Sequence, residues 1–151
     1  MIPSAVTTTR VDISGLAAGF RRADLEFSGV DHSGASYQAW VFLNHPEAEA
    51  DTPHDDAHGY AGSFSVFGHG GCYGDDHGHC TVVARRPHDP RPGHPLTPAT
   101  KTVIATAALR GVLGGITLDV TIVPIVRSLN PKCTAEDVLQ VIYLRIITYG
   151  N

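Results

Sequence analysis

Five side chains able to bind a soft or borderline metal fall within twelve positions of this chain: His69, Cys72, His77, His79 and Cys80. Thiolate and imidazole together suit copper or zinc. The five lie in the run Gly68-His69-Gly70-Gly71-Cys72-Tyr73-Gly74-Asp75-Asp76-His77-Gly78-His79-Cys80, whose glycines let the backbone curl so that side chains can converge. The spacing matches no zinc ribbon, which needs paired C-x₂-C, or C-x₂-C followed by H-x₃₋₅-H. The same residues also suit a glycine-rich loop pinned by a Cys72–Cys80 disulfide with its histidines exposed, and both readings stay open. A second group, His54 and His58, sits among Glu47, Glu49, Asp51, Asp55 and Asp56. It offers hard oxygen ligands beside imidazole, a pH-sensitive patch, or a plainly solvated loop.

Other chemistries find no support in the residues. There is no serine in a G-x-S-x-G elbow and no H-E-x-x-H pair, and neither a dinucleotide turn nor a phosphate loop occurs. Cys133 follows Asn130-Pro131-Lys132. The lysine could lower its thiol pKa, yet a turn or edge position explains it as well.

The surrounding composition narrows the function classes. Nine His stand beside eleven Lys plus Arg, and eight of the nine lie between His45 and His94, so the surface charge swings near neutral pH. Net charge is −4 and no basic stripe is present, which makes nucleic acid a poor partner. No segment reaches the roughly 18 apolar residues of a membrane span. The start, Met1 to Thr7, lacks a basic region and an apolar core, so the expected compartment is cytoplasmic, with export alongside a partner left open. Three Cys (72, 80, 133) allow one internal disulfide at most, not a disulfide scaffold.

These residues must be positioned by strands. Sixteen Gly and ten Pro imply many turns, and 151 residues fit one domain over 1–151. Ser36–Asn44 is aromatic and β-branched and ends at the turn signal Asn44-His45-Pro46. Gly62–Gly68 alternates Phe64 and Val66 against Ser63 and Ser65; Ile116–Val126 alternates Leu118, Val120 and Ile122 against Asp119 and Thr121. Strands are also expected at Ala23–Val30, Thr81–Ala84 and Lys101–Thr106, and the β-branched load of Val138–Tyr149 favours a buried strand there. Helical turns are expected only at Thr106–Arg110 and Thr134–Leu139. The sum is an all-β fold, an antiparallel β-sandwich of about seven strands with long loops. Those loops include the acidic Asn44–Tyr60 and the proline-stiffened Arg85–Pro98.

A family resemblance rests on particular runs. Gly29-Val30-Asp31-His32-Ser33-Gly34-Ala35-Ser36-Tyr37, then Val41-Phe42-Leu43-Asn44-His45-Pro46, resembles the opening of the β-domain that follows the dicopper domain in bacterial tyrosinase-like proteins. Tyr60-Ala61-Gly62-Ser63-Phe64, Phe67-Gly68-His69-Gly70, Gly78-His79-Cys80, Arg91–Pro98 and Val120–Pro124 continue it, so that it covers about residues 23–149. It is similar, more distantly, to the C-terminal part of plant polyphenol oxidases. The chain has no helical His-x₃-His pairing for a type-3 copper pair, so it is not expected to be an oxidase on its own.

The resemblance implies a non-catalytic accessory domain that works with a separate copper oxidase catalytic subunit, or else associates with itself. Copper or zinc is the candidate metal of the His/Cys-rich loop on its residue types, and the resemblance itself assigns it none. Trp40, Phe42, Phe64 and Phe67 are the expected packing or partner face. Two alternatives remain: a small mononuclear copper or zinc enzyme, which would be a metal-dependent oxidoreductase with Tyr73, Asp75 or Asp76 as supporting groups, and a structural or ligand-binding sandwich with a Cys72–Cys80 disulfide.

Overall fold

Alternating apolar side chains build the strands, and the period of two decides which face each one buries. The computed structural model describes residues 6–32, 34–68, 98–127, 138–139, 141 and 143–150. Its elements run β1 (Thr7–Asp12), β2 (Arg22–Val30), β3 (Tyr37–Leu43), a 3₁₀ turn (Asp56–His58), β4 (Tyr60–Val66), β5 (Ala99–Ile104), α1 (Thr106–Gly111), β6 (Thr117–Ile125) and β7 (Tyr143–Tyr149). One sheet has the order β1-β6-β3-β4 and the other β5-β2-β7. Every pairing is antiparallel. The expected all-β sandwich is the fold, with seven strands among the described residues.

The inner faces meet in one core. Leu25 and Phe27 of β2 oppose Ala39 and Val41 of β3 and Leu118 and Val120 of β6, all fully buried. Phe27 and Phe64 bridge the two sheets with ring centroids 5.0 Å apart. At one side β4 packs against β5. Gly62 makes that closure possible: its φ is +138°, and a Cβ there would come within 2.7 Å of the Val103 side chain. The short α1 buries Leu109, and its Thr106 Oγ1 accepts from the Ala23 amide at 3.1 Å.

Boundaries differ from the sequence reading in three places. The strand expected over 138–149 begins at Tyr143, although Val138 and Leu139 are buried. Thr106 opens α1 and does not end β5. The chain also has a first strand, β1, that the sequence reading omitted. Its Thr7-Thr8-Thr9-Arg10 run is polar and almost wholly exposed, so it shows no hydrophobic alternation, while β-branched threonines suit an edge strand. The expected strand at 81–84, most of the loop 85–98 and most of the helical turn at 134–139 lie outside the described residues.

The return of the chain from β3 to β4 depends on Gly59. Its φ is +69°, and any Cβ would overlap the Leu43 carbonyl oxygen. The Leu43 amide in turn donates to the Gly59 carbonyl at 2.8 Å. Backbone cannot yield as a flexible side chain can. Gly59→Ala is therefore expected to lower stability by about 2 kcal/mol or more; chemical denaturation of the two proteins measures it.

Candidate functional site

β3 is apolar on both faces. Tyr37, Ala39, Val41 and Leu43 point into the sandwich, while Trp40 and Phe42 point outward beside Val123 and Ile125 of β6. An outward Phe42 left in water would be unfavourable by about 2 kcal/mol. The segment between β3 and β4 covers it instead. Ala48 (1% exposed) packs with Phe42, Val123 and Ile125 into a second small core, and Trp40, Ala50 and Tyr60 flank that core. The acidic loop thus has a buried underside and a charged outer side.

Three imidazoles gather over this outer core. The His54 ring lies parallel to Tyr60, 4.2 Å away with a 2° tilt, and meets Trp40 edge-on at the same separation. Phe42 stands 6.1 Å from His54 and 5.4 Å from Tyr60. His45 lies 6.2 Å from Phe42 and 5.7 Å from His58. Flat rings filling one another's faces and edges in this way gain dispersion and quadrupole energy at little entropic cost.

His58 is held from below. Asp55 begins the 3₁₀ turn, and its Oδ1 accepts from the His58 amide at 3.0 Å. The His58 ring Nδ1 lies 2.6 Å from the same oxygen. A carboxylate can only accept, so Nδ1 carries the proton. The side-chain bond from His58 holds the Asp55 carboxyl below the usual carboxylate range, against a smaller opposing effect of desolvation.

The residues singled out from sequence are placed as follows. Trp40 and Phe42 share the outer face of the four-stranded sheet, but Phe42 is fully buried beneath the chain's own loop. Phe64 points to the opposite side, into the main core against Phe27. Phe67, 82% exposed, follows the end of β4. The four aromatics therefore do not form one surface.

His54 and His58 belong to the aromatic cluster. Among the described residues no three His, Cys, Asp or Glu side chains come together as a metal-binding group. His69, Cys72, His77, His79 and Cys80 all lie outside the described residues. The chain enters that segment through Gly68, whose amide donates to Ser36 Oγ at 3.0 Å. Ser36 precedes β3, whereas the His54/His58 loop joins the other ends of β3 and β4.

Two members of the cluster, His45 and Tyr60, were missed from sequence. The Asn44-His45-Pro46 turn carried a signal, since a turn directly after an apolar strand tends to fold back over it. Tyr37 is a further buried polar group. Its hydroxyl has no hydrogen-bond partner among the described residues, and burial, aided by the charge of Asp31, pushes its phenol well above the usual tyrosine range.

No family model and no curated protein matches the chain in sequence. Solved structures do match it in shape. Recombinantly expressed latent aurone synthase, a polyphenol oxidase, aligns with a TM-score of 0.55 and 18% identity over 95% of this chain and 24% of that one. The same enzyme co-crystallised with hexatungstotellurate(VI) gives 0.56 and 17% over 96% and 24%. Latent aurone synthase from its natural source gives 0.53 and 18%, again over 96% and 24%. What is shared is the fold. The chain spans about a quarter of the length of these oxidases.

If His54 acts by ring packing, shape matters and ring nitrogen does not. His54→Ala is expected to lose about 1 kcal/mol of stability, while His54→Phe keeps most of it. Thermal unfolding of the three proteins, read alongside proteolysis of the 44–60 loop, separates packing from any role that needs the imidazole nitrogens.

Proposed function

We propose that the chain is an accessory β-domain that acts on a separate tyrosinase-like copper oxidase. One observation carries this reading: nearly the whole chain, 95% of it, matches in fold a 24% portion of a latent polyphenol oxidase. The sequence runs around Tyr60–Phe64 and Phe67–Gly70, similar to the tyrosinase β-domain, support the same reading from a different direction.

The domain would act by covering or supporting a catalytic domain, through contact area rather than bond chemistry. A dicopper catalytic domain produced without its own β-domain is the test partner. Mixed with this chain in calorimetry, it is expected to form an equimolar complex at micromolar affinity or tighter, about −8 kcal/mol. Its turnover is expected to change on binding. No heat and no change in turnover at concentrations well above that range would overturn the proposal.

A second reading, metal handling by the His69–Cys80 segment, is favoured by a single observation: five ligand-type residues within twelve positions. Such a site would give protein that retains about one equivalent of copper or zinc after purification and loses it on His79→Ala, measured by elemental analysis. Metal-free wild-type protein that takes up neither ion removes this reading and leaves the accessory role untouched.

A further inference from the structure

The two ends of the loop between β3 and β4 are drawn into a neck. The Leu43 amide donates to the Gly59 carbonyl at 2.8 Å, and His45 and His58, just beyond that bond, stand side by side. The backbone at both positions is fixed. Asn44, at φ +52°, gives its amide to the Asp119 carbonyl at 2.8 Å and accepts the Asp119 amide on Oδ1 at 3.1 Å. The His45 carbonyl accepts from the amide of buried Ala48 at 3.1 Å. His58 closes the 3₁₀ turn, with its own amide on Asp55 Oδ1 and the left-handed Gly59 behind it.

The two ring centroids lie 5.7 Å apart, with the ring planes at 61°. An imidazole nitrogen sits about 2.0–2.1 Å from a zinc-like ion, which puts two rings sharing one ion about 4.5–6 Å apart between centroids. The observed spacing falls inside that range. Simple ring packing would give it too, so other features must separate a ligand pair from a packed pair.

The tautomer is one such feature. Asp55 Oδ1 holds the His58 Nδ1 proton at 2.6 Å, which leaves Nε2 a bare acceptor in the neutral ring. A carboxylate behind one ring nitrogen is the arrangement that orients a metal-bound histidine and makes it a better donor. The local field is another. Residues 44–60 carry Glu47, Glu49, Asp51, Asp55 and Asp56 and no Lys or Arg, and a surface of one sign concentrates cations near it. Both rings are half-buried and can be reached from water. His54 takes no part, since its ring packs against Tyr60 and Trp40. The pair is thus not the His54/His58 pair that the sequence set apart.

We propose that His45 and His58 form an open, two-histidine site for a divalent transition-metal ion of the nickel, copper or zinc kind, with Asp55 as its positioning residue. Imidazole suits these ions, whereas calcium and magnesium take oxygen ligands. Among the described residues no group of three His, Cys, Asp or Glu side chains forms, so water fills the remaining positions. A bound ion would clasp the two ends of the loop that covers Phe42. The site draws on none of the ligands of the His69–Cys80 segment and needs no partner protein.

Nickel(II) is the probe, because it favours imidazole, leaves thiols unoxidised and broadens nearby NMR signals. Added to the full chain through two equivalents, it is expected to broaden the amide signals of His45 and His58 together. This measurement needs no variant. His45→Ala and His58→Ala are each expected to weaken binding at these amides at least about tenfold. Asp55→Asn, which keeps a cap on the 3₁₀ turn, is expected to weaken it about tenfold. Sharp signals at both histidines, broadening confined to residues 69–80, or broadening that survives both alanine variants would each overturn the proposal.

Discussion

Burial of β3 on both faces is the constraint around which the rest of the molecule is arranged. Val41 and Phe42 are successive residues pointing in opposite directions, and both are fully buried. One face needs a second sheet, which β2 supplies through Leu25 and Phe27. The other needs a cover, and the chain supplies that from the segment that follows β3 directly. Phe42, Val123 and Ile125 are therefore buried by a loop that carries five carboxylates on residues 47–56. The loop is acidic because its outer side is wet, and it is ordered because its underside is apolar.

The covering loop changes how the sheets can be used. A sandwich with two bare outer faces could dock a partner on either. Here the four-stranded sheet spends much of its outer apolar surface on its own chain, and the exposed large side chains of the outer faces lie on the three-stranded sheet, at Ile104, Tyr143 and Tyr149. That sheet is laced by ion pairs, Arg22 with Asp24 and Arg145 with Glu26. Exposed pairs of this kind contribute about 0–1 kcal/mol each, so they set register more than they hold the fold. Asp24 is the exception, since its carboxylate is almost wholly buried while the arginine is half exposed. Removing Arg22 would leave a buried charge alone, a larger cost than the pair's own contribution.

The imidazole cluster shows a residue type serving a role other than the one its chemistry first suggests. His54 and His58 sit among acids, which looks like a ligand set. In the fold His54 stacks flat on Tyr60, and His58 gives its Nδ1 proton to Asp55. Ring packing and a carboxylate hydrogen bond hold these two imidazoles in place.

Much of this was readable from the chain. Phe64 and Val66 against Ser63 and Ser65, and Leu118, Val120 and Ile122 against Asp119 and Thr121, announced β4 and β6, because a strand with one wet face must alternate. Ser36–Asn44 announced β3 through its aromatic and branched residues. Other features depended on neighbours distant in sequence. β1 is polar on nearly every position and becomes a strand because β6 offers it a ladder, with Thr8 against Thr121 and Arg10 against Asp119. Phe42 and Phe64 looked alike as partner-facing aromatics, yet one is buried by a loop and the other by the opposite sheet. Outside β1, local sequence by itself determined which described segments extend and which faces are apolar, since both follow from side-chain period and propensity. What covers each face, and which histidines meet, was decided only in the assembled fold, where the segment directly after β3 covers Phe42 and the opposite sheet covers Phe64, because burial is a property of the assembled neighbours and not of the residue.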